Sequence, residues 1–360
     1  MRGNFLLYSL WGLKGKIKRM TALFKAIDLF CGCGGLTLGL KQAGFNVLAG
    51  IEVEPQIART YRENHPDVSV FNENILNVNP QTLLDDFSLK TGELDLLAGC
   101  PPCQGFSSIK RLNKYSKMDD VRNELIFEFL RFAEVMLPKA IMLENVAGLQ
   151  QYIGFTDFVS RLEKLGYNPK YQILNVADFG VPQRRKRLIC LAGRIDSIPF
   201  APPLYTKSTV RSTIEHLSVP GDSGDPLHDI PTSHSATVLE RIASIPKDGG
   251  SRDSLPPKLV LDCHKKRTGF KDIYGRMKWD NVSPTITCGC FNPSKGRFLH
   301  PEQDRAITLR EAALLQGFPE SYKFPINKTL AATMIGNALP PPFIKLHSVS
   351  VMQYLERNYK

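Results

Sequence analysis

The sequence predicts a doubly wound α/β domain with a smaller, irregular module attached, and three observations carry that expectation. From Lys25 to Arg194 short apolar runs alternate with helical patterns, the signature of repeated β-α units around a largely parallel sheet. A glycine-rich segment, DLFCGCGGLTLGL (28–40), falls where a first strand should turn into a first helix. From about Ile195 to Val282, Pro, Ser, Thr and Asp become frequent and both periods fade, which marks a separate module.

The elements follow in order. AIDLF (26–30) reads as a buried strand, Leu36 to Ala43 as the next helix with Gly44 at its C′ position, and VLAGIEV (47–53) as the second strand. Further strands are expected at VSVF (68–71), LDLLAG (94–99), AIMLENV (140–146) and RLICLAG (187–193). Leu125, Phe129, Phe132 and Met136 share a helical face that must stop before Pro138. Thr156 is placed to cap a helix carrying Val159, Leu162 and Leu165 before Gly166. A last helical pattern runs from Pro341 to Tyr354.

Composition narrows the function. With 42% hydrophobic and 22% charged residues in 360, disorder, collagen and coiled coil are excluded. No apolar stretch approaches the roughly 20 residues that span a bilayer, so a water-soluble protein is expected. Lys and Arg exceed Asp and Glu by 46 to 35, and the resulting +11 favours a polyanionic partner, nucleic acid before membrane. The densest basic run, Lys258 to Lys278, holds seven cations against Asp262 and Asp272. Eight cysteines in this length are too sparse for a disulfide scaffold and read as reduced thiols in a cytosolic protein. Residues 1–24, with Phe5 to Leu13 apolar and the basic residues after it, have the wrong order for a signal peptide and read as an extension, with Met20 as an alternative start.

Glycines at a strand-to-helix turn let backbone approach a nucleotide. A dinucleotide fingerprint would continue Gly32-x-Gly34 to a third glycine, but Thr37 stands there, so a nicotinamide cofactor loses its main support. Glu52, twenty residues after Gly32 and at the end of the second strand, suits ribose hydroxyls, and the Phe30 ring could lie against a purine. An adenosine-containing ligand follows. In AGCPPCQGFSS (98–108), Cys103 sits in a proline-stiffened loop at the carboxyl edge of the sheet. A redox pair with Cys100, half of a metal site and a single nucleophile compete. The C-x-C spacings of Cys31/Cys33 and Cys288/Cys290 do not supply a second metal pair, and the nucleophile leads. Glu144 ends a buried run at the same edge, as a structural acceptor or as an acid whose pKa burial has raised. QRRKR (183–187) brings Arg185 and Arg187 to one face of an extended segment, suited to phosphate or a carbonyl oxygen.

Seven ordered blocks then carry a resemblance: DLFCGCGG, IEVEPQIARTY, GCPPCQGFS, ENVAGL, QRRKR, RAITLREAALLQGFP (305–319) and GNALPP (336–341). Together they resemble the DNA (cytosine-5)-methyltransferase family of bacterial type. The resemblance implies a Rossmann-like, S-adenosylmethionine-dependent methyltransferase domain at 25–194 completed by 330–360, a target-recognition domain at 195–329 and an extension at 1–24. It implies cofactor contacts from Phe30, Gly32, Gly34, Glu52, Val53, Asn74, Ile75, Pro102 and Asn337, with S-adenosylhomocysteine as product and no metal. Cys103 is similar to the nucleophile that adds to carbon 6 of cytosine, Glu144 to the acid at ring N3, and Arg185 and Arg187 to the pair supporting the base carbonyl; Gln183 organises the loop.

Two positions depart from the family pattern. Asn74 stands where an acid is common, and Ala338 where a serine is common, so altered cofactor contacts are expected. The implied partner is double-stranded DNA, with the target base rotated out of the helix, and the implied setting is a monomer in a prokaryotic cytoplasm beside a companion restriction endonuclease. Thr232, Ser233, His234, His264 and Lys265 are candidate DNA contacts. Transfer-RNA cytosine as substrate, or an inert DNA-binding regulator, are the alternatives.

Overall fold

The computed structural model describes residues 24–102, 124–262 and 272–360. The first part alternates as β1 Lys25–Leu29, α1 Gly35–Ala43, β2 Asn46–Ile51, α2 Pro55–Asn64, β3 Ser69–Phe71, α3 Pro80–Asp86, β4 Leu96–Gly99, α4 Leu125–Met136, β5 Ala140–Val146, α5 Ile153–Lys164, β6 Asn168–Asn175 and β7 Lys186–Gly193. Seven strands form one sheet in the order β3-β2-β1-β4-β5-β7-β6. The pairings from β3 through β5 are parallel, and β7 lies antiparallel to both β5 and β6.

That reversal matters. Because β7 runs against its neighbour, its first residues lie at the edge where the parallel strands end, which is where open α/β sheets bind ligands. Alternation along the strands sends Met142 and Leu191 to one face and Ile141, Leu143, Leu188 and Cys190 to the other. The second face is covered by Phe129 and Phe132 of α4 and Phe155 and Phe158 of α5. The first is covered by α1 and by the C-terminal helix Pro341–Tyr359, whose Phe343, Ile344, Val351 and Leu355 are buried there. Gly39 permits this contact, since a Cβ on it would lie 2.6 Å from the Ile344 Cβ.

Two local expectations change. Thr156 caps nothing: α5 begins at Ile153, with Tyr152 at the N-cap, because the turn Ala147–Gln151 leads straight into it. β6 was not expected, since NPKYQILN at a half-solvated edge shows no apolar run; the β7 ladder makes it a strand.

Beyond β7 come α6 Val210–Ile214, α7 Ala236–Ala243, α8 Leu309–Leu315, α9 Lys328–Asn337 and the C-terminal helix, α10. Val210, Ile214, Met277, Trp279, Leu309, Ala312, Tyr322 and Ile335 share a core with Cys33 of the glycine loop. A smaller core gathers Ile242, Ile245, Leu255, Leu259, Tyr274 and Leu299.

This region has few backbone ladders, and arginines stand in for them. Arg276, fully buried, donates to the carbonyls of Ile245, His300, Gln303 and Ile242 and pairs with Asp304. Arg276 therefore leaves the set of cations available to DNA, and Lys258 is paired with Glu240. His264, Lys265, Lys266, Arg267 and Lys271 lie outside the described residues.

Candidate active site

The glycine loop leaves β1 through three left-handed residues, Phe30 (φ 61°), Gly32 (φ 55°) and Gly34 (φ 97°). Phe30 pays for its conformation in strain, which non-glycine residues keep mostly at functional turns. Its ring is half-buried against the core. From the end of β2, Glu52 accepts from the Gly32 amide through Oε2 (3.1 Å) and from the Glu54 amide through Oε1 (2.9 Å). Burial raises the pKa of this carboxyl, against those two hydrogen bonds. Asn72 donates to the carbonyls of Glu52 and Val53, fixing the strand end and leaving the Val53 side chain exposed beside it.

Asn74 and Ile75 follow β3. The Asn74 Oδ1 accepts from the Leu76 amide (3.1 Å) and so caps the turn Ile75–Asn77, while its amide nitrogen is left to face solvent. An acid there would carry charge; the asparagine gives the turn the same cap without it. Arg131 of α4 clamps the turn from behind by donating to the carbonyls of Ile75 (2.7 Å) and Val78 (3.1 Å).

Thr37 is explained by what lies beneath it. Its hydroxyl donates to Asp28 Oδ2 (2.7 Å), and having spent its proton it accepts from the Tyr61 hydroxyl (2.7 Å). Asp28 is fully buried, its pKa is pushed up to about 7, and its Oδ1 has no hydrogen-bond partner among the described residues. A glycine at position 37 would take away the hydroxyl and leave the carboxyl only the backbone amide of that residue.

The Cys100-Pro101-Pro102 segment leaves β4, the strand next to β1. Cys103 lies outside the described residues; Pro102, just before it, is exposed. The Pro101 carbonyl accepts from the Asn145 side chain (2.9 Å), so β5 holds the start of the cysteine loop. Glu144, inside β5 and 6% exposed, meets the Arg187 Nε at 2.9 Å. Register makes this pair: Arg187 lies opposite Val146, and residues 144 and 146 share a face. Burial raises the Glu144 pKa, while Arg187 and then Arg185 oppose the rise. Cys100 is hydrogen-bonded to Glu144, and burial together with that carboxylate pushes its thiol well up, which removes it as a nucleophile.

Arg185 and Arg187 divide their work. Arg185, 3% exposed, donates to the carbonyls of Ile286 (3.0 Å) and Gly336 (3.1 Å), tying β7 to the segments that follow it. Gln183 reinforces the tie: it accepts from the Ile286 amide (2.9 Å) and donates to Gln316 Oε1 (2.5 Å), and Gln316 donates to the Ile335 and Ala338 carbonyls. Asn337 is exposed, its Oδ1 accepting from the Cys288 thiol (3.3 Å).

The fold thus brings Gly32, Gly34, Glu52, Asn74, Pro102, Glu144 and Arg187 to one edge of the sheet. The residues that hold them there, Asn72, Arg131, Asn145 and Gln316, went unread, and Cys100 was weighed only as a redox partner; no local pattern marks a partner tens of residues away. The sequence model for C-5 cytosine-specific DNA methylases matches residues 24–348. The chain belongs to that family. This methylase is 37% identical to the Type II methylase M.HgiDII of Herpetosiphon aurantiacus, over 92% of this chain and 95% of the other. It is 35% identical to the Type II methyltransferase M1.HphI of Haemophilus parahaemolyticus, over 88% and 83% respectively. Its fold is also that of a prophage-encoded DNA modification methyltransferase from E. coli, with a TM-score of 0.70 at 24% identity over 93% of this chain and 100% of that one. The reaction of this methylase is methyl transfer to carbon 5 of cytosine in DNA.

Proposed function

We propose that this methylase acts on duplex DNA through a transient Cys103–cytosine bond, with S-adenosylmethionine held along the edge from Gly32 to Ile75. The observation that carries the reading is Glu144: a buried carboxyl, its pKa raised, aimed by Arg187 and sharing β5 with the Asn145 that anchors the cysteine loop. The residues present fit the cofactor. Glu52, which already accepts from the Gly32 amide, suits ribose hydroxyls, and Phe30, Val53, Ile75 and Asn337 are read as the residues around the adenosine. When bound, S-adenosylmethionine supplies an electrophilic methyl group.

The protein's residues supply the rest. The Cys103 thiolate forms a bond to carbon 6 of cytosine while Glu144 donates a proton to N3, so the ring electrons collect at carbon 5, which then attacks the methyl group. That transfer has S-adenosylhomocysteine as its leaving group; loss of the carbon 5 proton to water, return of the N3 proton to Glu144 and expulsion of the thiolate then release 5-methylcytosine and restore Cys103. Carbons 5 and 6 are stacked in duplex DNA, so the base must be turned out at a cost of about a few kcal/mol. Residues 195–329 are read as the target-recognition domain, with 25–194 and 330–360 as the catalytic one. The Type II relatives support a role in restriction-modification; a monomer acting beside a companion endonuclease in a bacterial cytoplasm completes the proposal.

Duplex carrying 5-fluorocytosine at the target should trap a denaturant-resistant adduct, since fluorine does not leave as the proton does. Cys103→Ala should form none, and an undiminished adduct would reject the assignment. Label from S-adenosylmethionine should enter duplex DNA and not transfer RNA.

A further inference from the structure

Tyr322 lies in the segment between α8 and α9, in none of the roles above, yet it touches the glycine loop. Its hydroxyl donates to the Cys33 carbonyl at 2.5 Å and lies 3.0 Å from His65 Nε2. That hydroxyl has one proton, and the carbonyl takes it, so His65 donates from Nε2. Both side chains are buried, and burial lowers the His65 pKa to about 4, which keeps the ring neutral at working pH.

The loop rests directly on this pair. A Cβ on Gly34 would lie 2.5 Å from His65 Nε2 and 2.7 Å from the Tyr322 oxygen. The Cys33–Gly34 peptide is pinned at both ends, its carbonyl by Tyr322 and its N–H by the Cys31 carbonyl (3.0 Å). Tyr322 is held in turn from the irregular module. Its own carbonyl accepts from Arg310 (3.0 Å), and Arg310 grips Asp225 through two bonds of 2.5 and 3.3 Å. The next residue, Lys323, exchanges two backbone bonds of 2.9 Å with the Asn64 side chain at the end of α2. An unbroken chain of polar contacts therefore runs from Asp225 through Arg310 and Tyr322 to the loop.

We propose that Tyr322 is a positioning residue that sets the glycine loop from the module side, so that cofactor binding and DNA binding strengthen one another. The proposal rests on the reading of that loop as the cofactor site and of the module as the DNA-contacting part. Coupling of this kind is reciprocal: whatever factor DNA adds to cofactor affinity, cofactor must add to DNA affinity.

The test is Tyr322→Phe, which keeps the ring against Phe318 and Phe324 and removes the hydroxyl. Titration calorimetry would measure S-adenosylhomocysteine binding with and without sonicated DNA from a methylation-free host. The variant should bind the compound about tenfold more weakly, in line with the loss of a buried hydroxyl and its two hydrogen bonds. The gain that DNA confers should shrink toward one, and KM for S-adenosylmethionine should rise while kcat stays within about twofold. His65→Gln, which retains a donor, should lie between the two. Asn64→Ala loosens the same segment without touching the loop and should leave the coupling intact. Unchanged affinity and coupling in Tyr322→Phe would overturn the proposal, as would an equal loss of coupling in Asn64→Ala. A wild-type protein that binds no S-adenosylhomocysteine would instead overturn the cofactor reading beneath it.

Discussion

Arg187, largely buried, and Arg276, wholly buried, serve opposite ends. Arg187, at the tip of β7, has a carboxylate as its partner, Glu144, at the edge where the ligand-facing residues gather. Arg276, in the irregular module, spends its guanidinium on main-chain carbonyls of the loops around it, with Asp304 beside them. In the sheet the backbone is satisfied by its own ladders, so a buried charge is free to become a site. In the module the ladders are missing, and buried carbonyls must be paired by some side chain. A buried charge is thus a sign of function only where the surrounding backbone does not need it.

The comparison breaks most readily at Arg276. Arg276→Met leaves several buried carbonyls unpaired and should cost about 3–5 kcal/mol. Hydrogen exchange should locate the loss in residues 242–304, with β1, β4 and β5 still protected; uniform loss across the sheet would mean the two regions do not differ as described. Glu144→Gln tests the other side. It removes the proton donor but keeps an oxygen for Arg187, so single-turnover methylation should fall by about 10²–10⁴-fold. The urea midpoint should hardly move, and a large shift would make Glu144 a structural residue after all.

Asp28 sharpens the contrast within the sheet. Its folded pKa of about 7 lies above the ordinary 3.8, so the native state holds a proton that the unfolded chain releases. The resulting stability is fully present below about pH 4 and is lost as pH rises through about 7. Asp28→Asn should remove that slope, seen as urea midpoints that differ less between pH 4.5 and 7.5 than those of the wild type; an unchanged slope would assign the carboxyl an ordinary pKa. The smallest effect is expected at Lys258. Its pair with Glu240 is solvent-exposed, and Lys258→Ala should alter stability by less than about 0.5 kcal/mol.

Much of the sheet was readable because a strand buried on both faces needs a continuous apolar run, as in AIMLENV, and the glycine loop needs residues that accept left-handed backbone. β6 was not readable, since an edge strand half in solvent needs no such run. Phe30, Glu52 and Asn74 were legible as candidates because they follow strands, near the turns that aim them, and Glu144 because it stands near the end of a buried run. Arg187 was legible as a cation but not as the partner of Glu144, which depends on antiparallel register 43 residues away. Arg276 was legible only as one of the seven cations in a basic run, and not as a buried donor. Its acceptors lie in loops at residues 242, 245, 300 and 303, and composition treats every arginine alike.

The sequence by itself determined the class of fold, six of the seven strands, the loop that can take a nucleotide and the residue types suited to cytosine chemistry. These depend on periodicity and on spacing within a few residues, where local sterics decide. Only the tertiary structure decided which buried charges meet: Glu144 with Arg187, Arg185 with Ile286 and Gly336, Tyr322 with Cys33. Those contacts join segments that chain connectivity leaves free, and the packing of whole elements against one another is what brings them within hydrogen-bonding distance.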